Sequence, residues 1–192
     1  KDKENKKDKH KSKKVKKEDI PAATQLFTPR WIVEYMVQNT VGKLWLQNKP
    51  NSKLRAHMPY FIESPSVTAE DHLVVSKPEE ITLLDSACGS GHILVYGFEL
   101  LSKIYEEEGY AASEIPQLII EHNLFGFEID ERAAQLAGFA LMMKARGYHK
   151  RFFRKAVKPN ILCFQDLNLT PDEVKDTCKR IGLKLTDELV HD

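Results

Sequence analysis

Three acidic side chains follow three short apolar segments, and a glycine-rich stretch lies beside the first of them. Asp85 ends "ITLLD", Glu128 lies in "GFEID" and Asp166 follows "NILCF". If these segments are parallel strands, their carboxyl ends meet at one edge of a sheet, where open α/β folds bind ligands. Carboxylates there can accept hydrogen bonds from hydroxyl and amino groups. The spacing therefore predicts a binding site for a polar ligand.

The stretch "DSACGSGHIL" restricts the kind of ligand. A phosphate-binding P-loop needs Gly-Lys-Ser/Thr, whereas Gly91 is followed by His92 and Ile93. A dinucleotide-binding loop needs a third glycine or alanine where Leu94 stands. Asp85 would also repel a pyrophosphate. The same carboxylate suits a ligand with an ammonium and a sulfonium group, such as S-adenosylmethionine.

The elements that must position these acids alternate between strand and helix. Periodicity and capping signals predict helices over Pro29–Gln47, "HILVYGFELLSKIYEEEG", "SEIPQLIIEH", "ERAAQLAGFALMMKARG" and within "LTPDEVKDTCKRIGLKLTDELV". Thr28, Ser113 and Thr170 are the expected N-caps of three of them. Alternating strands and helices imply parallel pairing through right-handed crossovers. The expected fold class is α/β, with about three parallel strands and flanking helices.

The second and third acids have separate expected roles. Glu128 can accept hydrogen bonds from both ribose hydroxyls of an adenosine, and Asp166 can accept one from the adenine amino group. Glu128 follows Asp85 by 43 residues (128 − 85), more than the usual spacing of about 20. An added helix between Ser113 and His122 would explain the difference. Asp130 stands one residue before a helix and is expected to cap it.

The motifs resemble the cofactor-binding part of adenine-specific (N6) DNA methyltransferases. "FTPRWIVEYMV" is similar to the family's first cofactor motif, "LLDSACGSGHIL" to its glycine loop, "GFEID" to its ribose motif and "ILCFQDL" to its adenine motif. The stretches "IPAATQLFTPRWIVEYMV" and "ACGSGHIL" are especially similar to the large methyltransferases of BREX phage-defence systems and of fused type II restriction–modification enzymes. The resemblance extends from about Asp19 to Leu167. It implies an incomplete Rossmann-like methyltransferase fold with S-adenosylmethionine as the cofactor.

The resemblance also implies a role for individual positions. Thr28 and Pro29 would border the methionine end of the cofactor, and Phe27 would lie near the sulfonium, where a ring face can stabilise a cation. Asp85 would meet the methionine amino group. Ser86 departs from the family, which commonly has proline there. The remaining implied contacts are Ala87, Gly89 and Gly91 in the turn, Glu128 on the ribose, Ile129 on the adenine face and Asp166 on the adenine amino group.

The family's catalytic motif is absent from this sequence. Its members hold the flipped adenine with an Asn/Asp-Pro-Pro-Tyr/Phe tetrapeptide, and this chain has no Pro-Pro pair. No catalytic or metal-binding residue is therefore assigned. We expect residues 1–18 to be a lysine-rich tail or lead-in helix. Residues 19–192 would be a cofactor-binding part, truncated before the catalytic motif and inactive alone.

Two alternatives to a DNA adenine methyltransferase remain open. The chain could come from a methyltransferase that acts on RNA or another substrate, because none of these motifs contacts the acceptor. It could also be a cofactor-binding or scaffold module without a catalytic partner. If the chain comes from a DNA adenine methyltransferase, double-stranded DNA is a partner of the longer protein. Oligomeric state is not predicted.

Composition indicates a cytoplasmic protein with one domain. The chain has 192 residues, is 42% hydrophobic and has a net charge of +1, although ten lysines lie among its first seventeen residues. Cys88, Cys163 and Cys178 are too few and too scattered for a disulfide framework or a zinc site. No apolar run reaches the length of a membrane span.

Several other residues are expected to be structural. Cys88 fits a small packing residue, and His92 fits a partly exposed polar group at a helix start. Trp31, Tyr35 and Trp45 have helical spacing that is typical of core positions. The basic segment "YHKRFFRKAVK" (148–158) could contact a phosphate backbone, but a solvated connection with Phe152 or Phe153 in the core is favoured.

Overall fold

A parallel three-stranded sheet forms the centre of the structure, a computed structural model that describes residues 27–63, 73–154, 156–165 and 170–180. The strands are β1 (Leu83–Asp85), β2 (Leu124–Glu128) and β3 (Asn160–Cys163), in the order β1-β2-β3. Leu83 pairs with Leu124, and Phe125 pairs with Asn160. The carboxyl ends therefore meet at one edge, and the predicted α/β class with three parallel strands is confirmed.

Helices precede, connect and follow these strands. The π-helical turns Gln38–Gly42 and Ile119–Asn123 extend two of the helices. Short 3-10 turns lie at Lys53–His57, Pro78–Glu80 and Phe152–Arg154. In chain order, the α-helices of the described residues are α1 (Arg30–Val37), α2 (Lys43–Asn48), α3 (His92–Glu107), α4 (Ile115–Leu118), α5 (Glu131–Tyr148) and α6 (Pro171–Arg180).

The main core lies between the sheet and helices α3 and α5. Helix α3 packs against β1, β2 and α5, and its Leu94, Phe98 and Leu101 are completely buried. Each such side chain contributes roughly 1.5–3 kcal/mol on burial. A Cβ at Gly97 would lie 2.5 Å from the Leu83 side chain, so a glycine allows α3 to approach β1 closely. This packing fixes the position of the α3 start relative to the end of β1.

The expected helices are present, with differences at their starts. The helix predicted over Pro29–Gln47 is confirmed as α1, a π-turn and α2, but it begins at Arg30 with Pro29 in the cap position, so Thr28 is not its N-cap. Proline fits there because its fixed φ suits a helix start. Glu114, rather than Ser113, precedes α4 as its N-cap. Residues 115–123 form the added helical segment between α3 and β2.

Two predicted caps are confirmed. Asp130 accepts hydrogen bonds from the amides of Arg132 and Ala133 at the start of α5, at 2.8 and 3.4 Å. Thr170 and Glu173 form a reciprocal capping box before α6. Helix α6 confirms the first part of the last predicted helix.

Some expectations lie outside the described residues. They concern residues 1–26, which include the lysine-rich segment, and residues 181–192. Among the residues that the structure describes, no helix is long and apolar enough to cross a membrane.

Candidate cofactor-binding site

The glycine stretch forms a tight turn between the end of β1 and the start of α3. The Cys88 amide donates to the Phe127 carbonyl at 2.9 Å, which fastens the turn to the neighbouring strand β2. The Gly91 amide donates back to the Cys88 carbonyl at 2.8 Å. Gly89 and Gly91 have φ values of 52° and 84°, in the region that favours glycine. Both glycines therefore shape the turn, as predicted from the sequence.

Gly91 has a second, steric requirement. A Cβ at this position would lie 3.0 Å from the Cβ of Ala137 and 3.1 Å from its Cα. Ala137 belongs to α5 and is completely buried. Helix α5 therefore approaches the turn so closely that any side chain at Gly91 would press against backbone. The second glycine of the stretch thus joins the turn to the helix that follows Glu128.

Glu128 is hydrogen-bonded to the turn. Its Oε2 accepts from the Gly89 amide at 2.6 Å, and its Oε1 accepts from the amides of Ile129 and Asp130 at 2.9 and 3.1 Å. A carboxylate has about four acceptor sites, so three amides leave acceptor capacity for a ligand. Nothing in the sequence indicated the bond between Glu128 and Gly89, because the two residues are 39 positions apart. This hydrogen bond links the end of β2 to the turn that follows β1.

Asp85 experiences an environment that disfavours its charge. Burial raises the pKa of this carboxyl, and the negative charge of Glu128 raises it further, while the hydrogen bond from the Ala87 amide lowers it. That bond measures 3.2 Å. Within the described residues, neither Asp85 nor Glu128 has a salt bridge to a basic side chain. The edge therefore presents two neighbouring carboxylates and would attract a cation.

The amino-terminal motif meets the glycine turn at the start of α3. The Phe27 ring packs edge-on against the His92 ring, with centroids 5.9 Å apart. Thr28 and His92 also line a groove of about 300 Å³ between α1 and α3, together with Val33, Val95, Tyr96, Arg30 and Glu99. Phe27 is 66% exposed, so most of its ring remains available. The structure thus brings the predicted segment around Phe27 and Thr28 to His92, in the predicted glycine motif, 64 residues after Thr28.

Polar contacts set the position of this groove. Gln38, which is completely buried, donates from Nε2 to the Tyr96 hydroxyl at 2.6 Å and accepts the Tyr60 amide at 2.7 Å. Glu99 forms an ion pair with Lys144 of α5. These bonds join α1, α3 and α5 around the groove. No signal in the sequence indicates them, because a lone glutamine on a helix has no characteristic spacing to a distant tyrosine.

The remaining predicted contacts lie at the ends of β2 and β3. Ile129 follows Glu128 directly and is 70% exposed, which leaves an apolar surface beside the carboxylate. Asp166 lies outside the described residues, so its predicted role remains a prediction. The described residues contain no group of three or more His, Cys, Asp or Glu side chains that could hold a metal ion.

Two curated proteins are similar to most of the chain. The adenine-specific methyltransferase BrxX of Escherichia coli O9:H4 (strain HS) is 52% identical over 169 residues, which is 84% of the chain and 14% of that protein. The adenine-specific methyltransferase PglX of Lacticaseibacillus casei (strain Zhang) is 40% identical over 178 residues, which is 86% of the chain and 15% of that protein. No protein-family profile matches the chain.

The chain is a homologue of one segment of the BrxX and PglX methyltransferases. It spans about one seventh of the length of these curated relatives. The predicted resemblance to adenine-specific methyltransferases is thereby confirmed. The segment shared with BrxX and PglX is long enough to include the sheet, the glycine turn and both described strand-end carboxylates.

The aromatic residues of this BrxX-like segment differ in part from expectation. Trp45 is completely buried, as predicted, but Trp31 and Tyr35 are 57% and 42% exposed, so their assignment to the core was wrong. Both lie on the face of α1 that turns away from Val33 and Val37, the buried side of this helix. Helical spacing identified a shared face, but it could not tell which face of α1 meets the core.

Cys88 behaves as a packing residue. It is buried, and its Sγ would lie 3.0 Å from a Cβ at Gly126 of β2. Burial, together with the charges of Asp85 and Glu128, raises the pKa of the thiol to about 11. A thiol with such a pKa is a poor nucleophile near neutral pH. His92 is exposed at the start of α3, as expected.

Proposed function

We propose that the chain is the S-adenosylmethionine-binding segment of a DNA adenine-N6 methyltransferase from a BREX phage-defence or restriction–modification system. The observation that carries this proposal is the carboxylate pair at the strand ends. Burial and the nearby charge of Glu128 raise the pKa of Asp85, and neither carboxylate has a salt bridge to a described basic side chain. S-adenosylmethionine would supply the missing positive charge through its ammonium and sulfonium groups.

The residues that the structure describes fit this cofactor. Asp85 would pair with the methionine ammonium group, and Glu128 would use its remaining acceptor capacity for the ribose hydroxyls. The exposed Ile129 would pack on the adenine. Asp166, which lies outside the described residues, would accept from the adenine amino group. At the other end, Phe27, Thr28 and Pro29 would border the sulfonium and the methionine, while Ala87, Gly89 and Gly91 keep the backbone close to the ligand.

In the reaction, this segment would bind and orient the methyl donor. When bound, S-adenosylmethionine supplies an electrophilic methyl group. The turn and the strand-end carboxylates would hold the donor in one orientation, so that a positioned adenine amino nitrogen can attack directly. No covalent intermediate on the protein is needed. The residues that hold the target adenine would come from outside this sequence, which lacks the Asn/Asp-Pro-Pro-Tyr/Phe tetrapeptide.

The choice of acceptor rests on the relatives. BrxX and PglX are named adenine-specific methyltransferases, and the fold is typical of nucleotide-cofactor binding. Accordingly, we propose double-stranded DNA as the substrate of the full-length protein and the cytoplasm as its location.

Calorimetric titration of the full-length protein that carries this sequence tests the proposal. We expect saturable binding of S-adenosylmethionine and none of NAD. Glu128→Gln removes the charge but keeps the shape of the side chain, and should weaken S-adenosylmethionine binding by roughly tenfold or more. Glu131→Gln, at an exposed neighbouring acid in the first turn of α5, is the matched control and should leave the affinity unchanged. Binding of NAD, or equal affinity in both variants, would contradict the proposal.

A further inference from the structure

A second charged region lies at the amino ends of the strands, opposite the glycine turn. Lys150, Arg151, Arg154 and Lys158 are all exposed, and Phe153 among them is 54% exposed. These five side chains are called the basic surface below. They fall between the end of α5 and the start of β3, which places them at the amino ends of the strands. The glycine turn and Glu128 lie at the carboxyl ends, about 16 Å away for a strand of the length of β2.

The segment that carries the basic surface is anchored to the core. Phe152 is completely buried, and Val157 is also buried. The backbone between them begins with a 3-10 turn, in which the Phe152 amide donates to the His149 carbonyl and the Arg154 amide to the Arg151 carbonyl, both at 3.0 Å. Core anchors on both sides of Arg154 hold the segment against the domain while its cations point outward. The predicted core anchor at Phe152 is thereby confirmed, and the described residues of the segment lie at the surface between two buried side chains.

The four cations of the basic surface take no part in the ion pairs of the described residues. None of the four forms a salt bridge with a described acid, whereas Arg30, Lys49, Arg55, Lys103 and Lys144 all do. The helix dipole of α5 favours cations only within its last turn, which contains Arg146. Arg151, Arg154 and Lys158 follow the helix and gain little from it. Concentrated unpaired charge is the usual electrostatic footprint of a polyanion partner.

We propose that the basic surface binds the sugar–phosphate backbone of duplex DNA at a distance from the methylated base. The cations would neutralise phosphates, and Phe153 would pack against a sugar. The choice of DNA as the polyanion rests on the proposed function. Because the basic surface lies at the edge opposite the cofactor site, it cannot reach the backbone around a base positioned there and would hold flanking DNA.

The salt dependence of DNA binding by the full-length protein tests this inference. The variant Lys150→Gln/Arg151→Gln/Arg154→Gln removes three cations of the basic surface. The control Lys77→Gln/Lys175→Gln/Lys179→Gln removes three exposed lysines elsewhere and changes the net charge equally. Affinity for a 60-base-pair duplex would be measured from about 50 to 200 mM salt, alongside titration with S-adenosylmethionine.

We expect the first variant to bind the duplex roughly tenfold more weakly at 100 mM salt. Each lost phosphate contact should also reduce the slope of log affinity against log salt by about 0.9. The control should keep the wild-type slope, and S-adenosylmethionine should bind all three proteins equally. Equal slopes in both variants would overturn the inference, as would an unchanged duplex affinity in the first variant. Failure of S-adenosylmethionine binding in the wild type would instead contradict the proposed function.

Discussion

Strand β2 has a polar residue at each end, and the two residues use their polar atoms differently. Asn123, just before the strand, is completely buried, donates to the Pro78 and Ile81 carbonyls at 2.8 and 2.7 Å and accepts the Tyr105 hydroxyl at 2.9 Å. Glu128, at the other end, is partly exposed, accepts three amides and has no salt bridge with a described basic side chain. The polar atoms at the amino end are paired with other protein groups, whereas the charge at the carboxyl end is not balanced by any described basic side chain.

The largest effect should come from the amino end. Asn123→Leu leaves two carbonyls and the Tyr105 hydroxyl without partners, and each unsatisfied buried group costs about 1–3 kcal/mol. We expect the free energy of unfolding to fall by about 3 kcal/mol or more in urea titrations of the 192-residue chain.

Asn39→Leu is the matched control for that substitution. Asn39 also donates two hydrogen bonds, to the Tyr35 and Tyr60 carbonyls, and accepts one, from the Ile62 amide. It is only partly buried, so water can replace its bonds, and the expected loss is below about 1 kcal/mol. If both variants lose the same free energy of unfolding, burial does not account for the difference expected between Asn123 and Asn39.

The next effect concerns the contact of the glycine turn with α5. Gly91→Ala should cost about 2 kcal/mol, because a Cβ there meets both a positive φ and the backbone of Ala137. Gly109→Ala is the control, since Gly109 has the same φ of 84° but no atom within 4 Å of its Cβ position. It should cost only the conformational strain, about 1 kcal/mol. Urea unfolding that gives Gly109→Ala the larger loss would contradict the close approach of α5.

A smaller effect of opposite sign is expected at Asp85. Its pKa is raised in the folded chain, so its charged form is destabilising above that pKa, and the penalty is relieved as the pH falls through it. Asp85→Asn should therefore raise the melting temperature of the ligand-free chain at pH 7 by on the order of 1 °C. A melting temperature that falls by several degrees would mean that the charge stabilises the turn.

The smallest effect concerns the reactivity of the Cys88 thiol. The pKa of the Cys88 thiol is raised to about 11, so very little thiolate forms at pH 8. Iodoacetamide at that pH should modify the partly exposed Cys178 before Cys88, as followed by peptide mass spectrometry. Preferential labelling of Cys88 would indicate a reactive thiol in the glycine turn.

The fold could be predicted largely from local signals. Short apolar strands alternate with helices whose caps and periodicity are visible in the sequence, as at Asp130 and in the Thr170–Glu173 capping box. Asp85, Gly89, Gly91 and Glu128 could be assigned to one edge because parallel strands align their carboxyl ends.

What the sequence could not predict depends on distant partners. The bond between Glu128 and Gly89, and the one between Gln38 and Tyr96, join residues with no regular spacing. Trp31 and Tyr35 share a helix face with the expected period, but the exposure of that face follows from how α1 packs on α3. In the basic segment the sequence predicts a core anchor at Phe152 or Phe153, and Phe152 confirms it, but the second anchor at Val157 has no signal in the sequence.

The pH dependence of S-adenosylmethionine binding tests most directly whether the carboxyl end of the sheet awaits a cation. Calorimetric titrations of the wild type and of Asp85→Asn would be compared from pH 7 downwards, as far as the folded state allows. We expect wild-type affinity to fall as the pH is lowered towards the raised pKa of Asp85, because the protonated carboxyl cannot pair with an ammonium group. Asp85→Asn should bind weakly throughout. Wild-type affinity in Asp85→Asn would contradict the central claim.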